Sequence, residues 1–270
     1  MKRTSLIVAG ALMALAMVFT CSSCSKKEDA SKSMTQKEEL KLTPEQAKQK
    51  EKIKKGIKES QNIVVARVNG SDINMYYLIR EMNVIAPKII PHGQAGTPEL
   101  TAKVKKEALT NLIFKELAIQ EAIKEGMKVK PEAVENVINK VRAQAGSEEA
   151  YKKYLEERNL SEDALRKTVE RSHLLEMITA KEIFDKIKVD DKVLRNTYEK
   201  DKASFMTRDN PSRQMSFEEA KGFIEGKIKS ERGQKRIAEW NNILRGKAKI
   251  EVMLDEVEKK MKENAGKQKK

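Results

Sequence analysis

The side chains that most readily act as nucleophiles, general bases or metal ligands are few in this sequence. They are two cysteines, Cys21 and Cys24, and two histidines, His92 and His173. Both cysteines lie near the start of the chain, so the rest has neither a disulfide framework nor a thiolate metal site. A zinc site needs three or four converging Cys, His or carboxylate ligands, and no HExxH motif is present. We therefore predict that the protein binds no metal.

Glycines and acidic residues also show no catalytic pattern. Gly70, Gly93 and Gly96 lack the spacing of a phosphate-binding loop that follows a strand. Acidic residues are numerous, but no pair stands apart for acid–base chemistry, and a solvated helical surface accounts for them. We expect no catalytic residue, no cofactor and no small-molecule substrate.

The first residues have the three-part pattern of an export signal. Lys2 and Arg3 precede the apolar run Leu6–Phe19, which gives way to small and polar residues at Thr20–Ser25. The run is shorter than the roughly 20 apolar residues that cross a bilayer, and no basic flank follows it. We predict a signal peptide over residues 1–24. A retained membrane helix is the alternative.

A cysteine directly after the apolar core of a signal resembles the acylation site of a lipoprotein. Cys24 follows the small residues Ser22 and Ser23 but has Cys21 where an aliphatic residue is usual. Cys21 has an aliphatic residue in that place but bulkier immediate neighbours. We predict lipid attachment, with Cys24 preferred over Cys21. Ordinary cleavage, which removes both cysteines or leaves them as an incidental pair, is the alternative.

Composition divides the remainder of the chain into three parts. Residues 25–62 are rich in Lys and Glu, with few large apolar side chains, so they cannot bury enough surface to offset their ordering entropy. We predict a charged tether there, although Thr43-Pro44-Glu45 can start a helix. Residues 63–254 are long enough for one domain with a core. A charged tail, residues 255–270, follows.

The chain is basic, with a formal net charge of +14 at pH 7. Such a charge favours acidic partners or anionic lipid headgroups and does not bear on the fold. Nucleic acid is the usual partner of a basic protein, but an export signal removes this one from the cytoplasm. The basic residues also alternate with acidic ones, as on a solvated helical surface. We therefore predict no nucleic-acid binding.

Hydrophobic periodicity and capping residues predict a mostly helical domain. The predicted helices are Met75 to Ala86, Thr97 to Gly126, Pro131 to Gly146, Glu148 to Glu157, one that starts at Ser161, Asp190 to Phe205, and Ser216 to Gly246. The β-branched segment Ile63–Val68, followed by the turn signal Asn69-Gly70, and the alternating segment Ala248–Leu254 are predicted strands. We expect the two strands to pair, with Trp240 buried beside them, because a lone strand leaves its backbone groups unpaired.

The order of these elements resembles the SurA family of periplasmic chaperones and its relatives, including the PrsA-type lipoproteins. The resemblance covers nearly the whole predicted domain. It rests on five segments in a shared order: Val65–Gly70 before a helix, Leu112–Ala122 in the long helix, Gly126–Val129 before Pro131, the Tyr154–Ser161 junction, and Ile187–Asp191 running to Tyr198. Each segment alone is unspecific, whereas their order and spacing together are specific.

The resemblance implies a helical peptide-binding domain closed by a small two-stranded sheet from the N-terminal and C-terminal segments. Fuller members insert one or two parvulin-type prolyl isomerase modules after the segment that matches Tyr198–Phe205. Here only residues 206–215 intervene, far fewer than the roughly 40 that a folding unit needs. A parvulin site also uses a pair of histidines, whereas His92 lies in a Pro/Gly loop and His173 in a distant helix. We predict that the module is absent and that the protein is not an enzyme.

The resemblance further implies an exported holdase for unfolded or nascent secreted and outer-membrane polypeptides. It would act in the periplasm, with a lipid anchor in the inner or outer membrane. The flexible side chains of Met75, Met82, Met127 and Met177 are candidates for the lining of a peptide groove, although methionines also fill cores. The alternatives are a structural or adaptor lipoprotein that binds one folded partner, and a protein that is a prolyl isomerase in family name only.

Overall fold

The computed structural model describes residues 44–92, 94–207 and 213–267, and these residues are mostly helical. The helices are α1 (Pro44–Gln61), α2 (Met75–Ile89), α3 (Pro98–Lys124), α4 (Pro131–Ala145), α5 (Glu148–Glu157), α6 (Glu162–Thr179), α7 (Asp191–Asp201), α8 (Phe217–Gly246) and α9 (Leu254–Lys267). The strands are β1 (Val64–Val68), β2 (Ser71–Asn74) and β3 (Ile250–Val252). A π-helical turn, Ala180–Phe184, extends α6, and a 3-10 turn, Lys202–Ser204, follows α7. The predicted helical fold class is confirmed.

The strands form one antiparallel sheet in the order β2-β1-β3. Ala66 of β1 lies opposite Val252 of β3, so the predicted pairing of N-terminal and C-terminal segments is confirmed. The sheet has a third strand, β2, beyond the two expected. Asn69 and Gly70 both have positive φ, at 49° and 89°, and close the β1–β2 hairpin tightly. The sequence pattern does not indicate β2, because the strand is polar and Ile73 is its one buried side chain.

Most helix starts lie where the capping patterns predict them, whereas two predicted ends are wrong: α2 continues past Pro87 to Ile89, and α7 ends at Asp201, before Phe205. The side chains of Thr97, Ser147, Ser161, Asp190 and Ser216 each accept a hydrogen bond from a backbone N–H in the first turn that follows. Ser216 and Glu219 complete a reciprocal capping box at the start of α8. Gly146 ends α4 with φ of 83°, a conformation that glycine adopts without strain.

Apolar side chains assemble into three clusters. The main core lies between the sheet, α2, α3 and the ends of α6 and α8. The arm core joins α4, α5 and the first half of α6 around Ile138 and Tyr151. The α7–α8 core joins α7 to the first half of α8 around Leu194 and Ile224. The long helices α6 and α8 therefore each link the main core to a smaller cluster.

Both ends of the described chain are more ordered than composition suggests. Within the predicted tether, residues 44–61 form α1, and Ser60 near its end is buried. Helix α9 begins at the buried Leu254, the last residue of the predicted domain, and continues through the predicted tail, and the contact of Leu254 with the main core anchors it. Composition does not detect the contact of α9, because it depends on one side chain that meets a core built by distant segments.

The predicted linker 206–215 brings its two ends together. Met206 and Gln214 form an isolated antiparallel bridge, and the Thr207 N–H donates to the Arg213 carbonyl at 2.9 Å. The Tyr198 hydroxyl donates to the Met215 carbonyl, so α7 also holds this segment. Residues 208–212 lie outside the described part of the chain.

Candidate tyrosine–arginine cleft

A cleft opens between α2 and the junction of α5 with α6. It encloses about 110 Å³. An engineered cavity of about 150 Å³ holds a benzene ring, so this space suits one side chain at a time. We call it the tyrosine–arginine cleft. Its lining residues are Tyr76, Tyr77, Arg80, Tyr154, Arg158, Leu160, Leu165 and Thr168.

The α2 wall carries three lining residues within one helical turn. The Asn74 side chain caps α2 by accepting from the Tyr77 N–H at 3.2 Å, which fixes where the helix starts. Tyr76 is 9% exposed, whereas Tyr77 is 40% exposed. The two rings meet edge to face with centroids 5.5 Å apart, and the Arg80 guanidinium lies 5.7 Å from the Tyr76 ring centroid. This wall therefore presents an aromatic surface beside a cation.

The opposite wall is built at the end of α5. The guanidinium carbon of Arg158 lies 3.9 Å from the Tyr154 ring centroid, and its Nη1 donates to the Tyr154 carbonyl at 3.2 Å. Asn159 then adopts a left-handed conformation with φ of 49°, which turns the chain sharply toward α6. Leu160 and Leu165 supply the apolar floor. Stacking on the ring holds Arg158 in place while leaving most of its N–H groups free.

Helix α1 braces this wall from outside. The Gln61 side chain donates to the Arg158 carbonyl at 3.4 Å, and Asn159 Nδ2 donates back to Gln61 Oε1. Earlier in α1, Lys50 pairs with Glu157 at 2.6 Å. Because α1 also packs on α2, it ties together the two elements that form the cleft.

The charges of the cleft are unbalanced. Across the described residues, neither Arg80 nor Arg158 lies within ion-pairing distance of a carboxylate. The arginines near the arm core differ, since Arg166 contacts both Glu135 and Glu162. Hydrogen bonds from Arg166 are the main reason that the pKa of Glu162 lies below its ordinary value. The lining of the cleft thus includes two cations and no carboxylate, whereas Arg142 and Arg166 near the arm core are paired with carboxylates.

A second, more open cleft lies where the sheet meets the ends of α3 and α8. It encloses about 200 Å³ and includes Asn69 and Gln120. Their polar groups already bind each other, since Asn69 Nδ2 donates to Gln120 Oε1 at 2.8 Å. Asn69 Oδ1 also accepts from the Lys249 N–H, and Gln120 Nε2 donates to the Val68 carbonyl. These bonds close the sheet against α3, so the tyrosine–arginine cleft is the better candidate for binding.

The four methionines proposed for a groove lie on different elements. Met75 and Met82 are on α2 and Met127 follows α3, and all three are half-buried against the main core. Met177, on α6, is 40% exposed. None of the four lines the tyrosine–arginine cleft.

The remaining residues singled out in the sequence also lie apart. His92 is exposed after α2, and His173 is on α6 with its Nδ1 3.2 Å from a Glu176 oxygen. Trp240, expected to be buried beside the strands, is only half-buried, and its ring meets Phe114 of α3 edge to face at 5.6 Å. Cys21 and Cys24 lie outside the described residues. Within the described ranges, no three His, Cys, Asp or Glu side chains form a group that could hold a metal ion.

The sequence does not single out the cleft residues, because their types and spacing are common in helical proteins. Tyr77 and Tyr154 each fit the apolar stripe of an amphipathic helix, which is the usual role of such residues. Arg80 and Arg158 occur among many other cations. One signal could have indicated the cleft: an arginine follows a tyrosine by four residues both at Tyr76 and Arg80 and at Tyr154 and Arg158. Side chains at this spacing meet on one helix face.

Residues 3–179 match the family model of the SurA-like N-terminal domain. A solved structure is also similar, from work describing the virulence factor PEB4 and the periplasmic protein Cj1289 as two structurally related SurA-like chaperones in Campylobacter jejuni. It is 18% identical, has a TM-score of 0.42, and covers 71% of this chain and 99% of its own. Among curated proteins, none matches this sequence. Over the described part of the chain, no helix is both long and apolar enough to span a membrane.

Proposed function

This chain belongs to the SurA-like N-terminal domain family, and we propose that it is an exported chaperone that holds unfolded polypeptide at the tyrosine–arginine cleft. The observation that carries the proposal is the cleft itself. It places a 40% exposed tyrosine, two further tyrosines and two leucines beside polar groups that can bond a peptide. Unfolded chains present isolated apolar side chains next to open backbone groups, which is the chemistry that this lining complements.

The same geometry supports loose selectivity. A space for one side chain contacts little of any client, so each engagement is weak, on the order of micromolar or weaker. An unfolded client also loses conformational freedom as it binds, which lowers the affinity further. A holdase benefits from both effects, because it must release the clients that it protects.

We propose that the protein holds its clients without catalysis and without ATP. Three observations support this: the sequence has no phosphate-binding loop, α7 and α8 are joined by the short segment 202–216, and His92 and His173 lie on different elements. A proline-peptide assay checks it. Isomerase activity that survives purification and is lost on changing either histidine would refute the proposal.

We also propose that the protein is periplasmic and anchored by acylation of Cys24 or Cys21. The proposal is supported by the signal-like first residues and by both cysteines lying at the end of the apolar run. Several acyl chains, at about 0.8 kcal/mol per buried methylene, would make the attachment effectively permanent. Mass spectrometry of the mature N-terminus decides it, and an unmodified terminus at another residue would refute it.

The direct test of the chaperone proposal is light scattering of a denatured outer-membrane protein diluted into buffer with the purified protein. We expect a several-fold excess of wild-type protein to suppress aggregation and Tyr77→Ala to lose most of that effect. Val84→Ala is the matched control, because Val84 is also exposed on α2 but does not line the cleft. Far-UV circular dichroism checks that both variants fold.

An adaptor lipoprotein with one folded partner remains the second candidate. Its support is the same cleft, which also suits one projecting side chain of a folded protein. Unchanged aggregation across several unrelated clients, with one saturable partner found instead, would favour the adaptor over the holdase.

A further inference from the structure

We propose that the tyrosine–arginine cleft selects client segments in which a carboxylate side chain neighbours an apolar one. The inference rests on the proposed function and adds to it the chemical class of the bound segment. Arg80 and Arg158 are assigned to the carboxylate, and Tyr77, Leu160 and Leu165 to the apolar neighbour.

The two guanidiniums differ in how firmly they are placed. Arg158 stacks on the Tyr154 ring at 3.9 Å, whereas the exposed Arg80 lies 5.7 Å from the Tyr76 centroid. Among the described residues, neither forms an ion pair with a carboxylate. Of the five N–H donors of Arg158, one bonds the Tyr154 carbonyl, so the others remain for a ligand. A guanidinium pre-positioned by stacking loses less side-chain entropy when it meets a carboxylate than a free one does.

Two other arginines, near the arm core, are in a different situation. Arg142 and Arg166 share Glu162, and Arg166 also contacts Glu135. Both of these arginines are therefore paired with carboxylates. In the cleft, the carboxylates are missing from both walls, which leaves a site of one charge sign that a carboxylate complements.

The room beside the cations is small. The cleft holds one side chain, so the apolar group occupies it while the carboxylate of a neighbouring client residue meets the exposed Arg80 outside it. Tyr77, 40% exposed, offers a flat apolar surface next to Arg80 on the same helix turn. A lysine in place of the client carboxylate would meet like charge and be excluded.

The test is fluorescence anisotropy with three labelled unstructured peptides, each with leucines in a Gly/Ser background. The leucines are followed by glutamate in the first peptide, glutamine in the second and lysine in the third. We expect the Leu–Glu peptide to bind wild-type protein about three- to tenfold tighter than the Leu–Gln peptide, with Leu–Lys weakest. The difference should shrink as salt rises from about 0.05 M to about 0.5 M, because the site is partly exposed.

The variants decide which residues carry the preference. Arg80→Gln combined with Arg158→Gln should remove the Leu–Glu preference, so that the Leu–Glu and Leu–Gln peptides bind the variant with equal affinity. Arg195→Gln is the matched control, because Arg195 also lies over an aromatic ring, 4.3 Å from the Phe217 centroid, but outside the cleft. Arg80→Gln alone tests the same point should the double variant unfold, since the Arg80 side chain is exposed.

The outcomes separate the inference from the proposed function. Equal binding of Leu–Glu and Leu–Gln to wild-type protein, or the same loss in Arg195→Gln, overturns the carboxylate preference. If Leu–Gln binding still depends on Tyr77, the chaperone proposal stands without it. If no peptide and no unfolded client binds, both fail.

Discussion

At the scale of single residues, the Glu219 carboxylate stabilises the start of α8. Glu219 accepts from the Ser216 N–H at 2.7 Å and from Arg213 Nη2 at 3.0 Å. The Ser216 backbone hydrogen bond, followed by Arg213 and the Ser216 hydroxyl, lowers the pKa of Glu219 to about 2. Because the pKa is lowered in the folded state, the ionised carboxylate stabilises the fold above its ordinary range near 4.5, and this contribution is lost as the pH falls toward 2.

We therefore expect Glu219→Gln to lower the thermal midpoint at pH 7, and the gap to wild type to close as the pH falls from about 4.5 toward 2. Thermal unfolding followed by circular dichroism across that range measures the gap. Glu218→Gln removes the same charge from the same helix turn but breaks no capping box, so it should have a smaller effect. A gap that stays constant with pH, or that is as large for Glu218→Gln, would contradict this role.

At the scale of elements, α8 passes from one cluster to another, and Gly233 marks a close approach. A Cβ at Gly233 would lie 3.4 Å from a ring carbon of Phe184, so the π-helical turn after α6 packs closely on this helix. Gly226, on the same helix, has open space instead. Substitutions at Gly233 therefore test the packing between elements, whereas substitutions at Gly226 test helix propensity.

We expect Gly226→Ala to stabilise the protein by about 1 kcal/mol, because alanine costs less backbone entropy in a helix. Gly233→Leu should destabilise it by about 1–3 kcal/mol through overpacking against Phe184 and Ile183. Urea unfolding compares the two variants. Stabilisation by Gly233→Leu would show that α8 and the π-helical turn do not pack as described.

The elements also show what the sequence could predict. Helix starts at Thr97, Ser161 and Ser216 follow from local capping chemistry, which needs only a few neighbouring residues. The strand β2 and the helix α9 depend instead on single side chains, Ile73 and Leu254, that meet a core built by distant segments. Local pattern does not detect such contacts.

At the scale of the whole molecule, the sequence predicts the fold class and the closure of the sheet but not the candidate binding site. Pairing of β1 with β3 follows from the need of short strands for partners, so the closure of the domain could be predicted. The cleft depends on where α5 lies relative to α2, and that position is set by the arm core and by the contacts of α1 with Glu157 and Asn159. Methionine content indicated adaptable surface, but the described methionines on α2 serve mainly the main core.

The central claim is that unfolded polypeptide binds in the tyrosine–arginine cleft, and site-specific photo-crosslinking tests it most directly. A photoreactive phenylalanine analogue replaces Tyr77 in one variant and Phe223, which is 67% exposed on α8 and outside the cleft, in another. We expect the Tyr77 position to crosslink a permanently unfolded client but not the same client when it is folded. Excess unlabelled client should reduce the crosslinking. Crosslinking that is absent at Tyr77, or equally strong at Phe223, would contradict the claim.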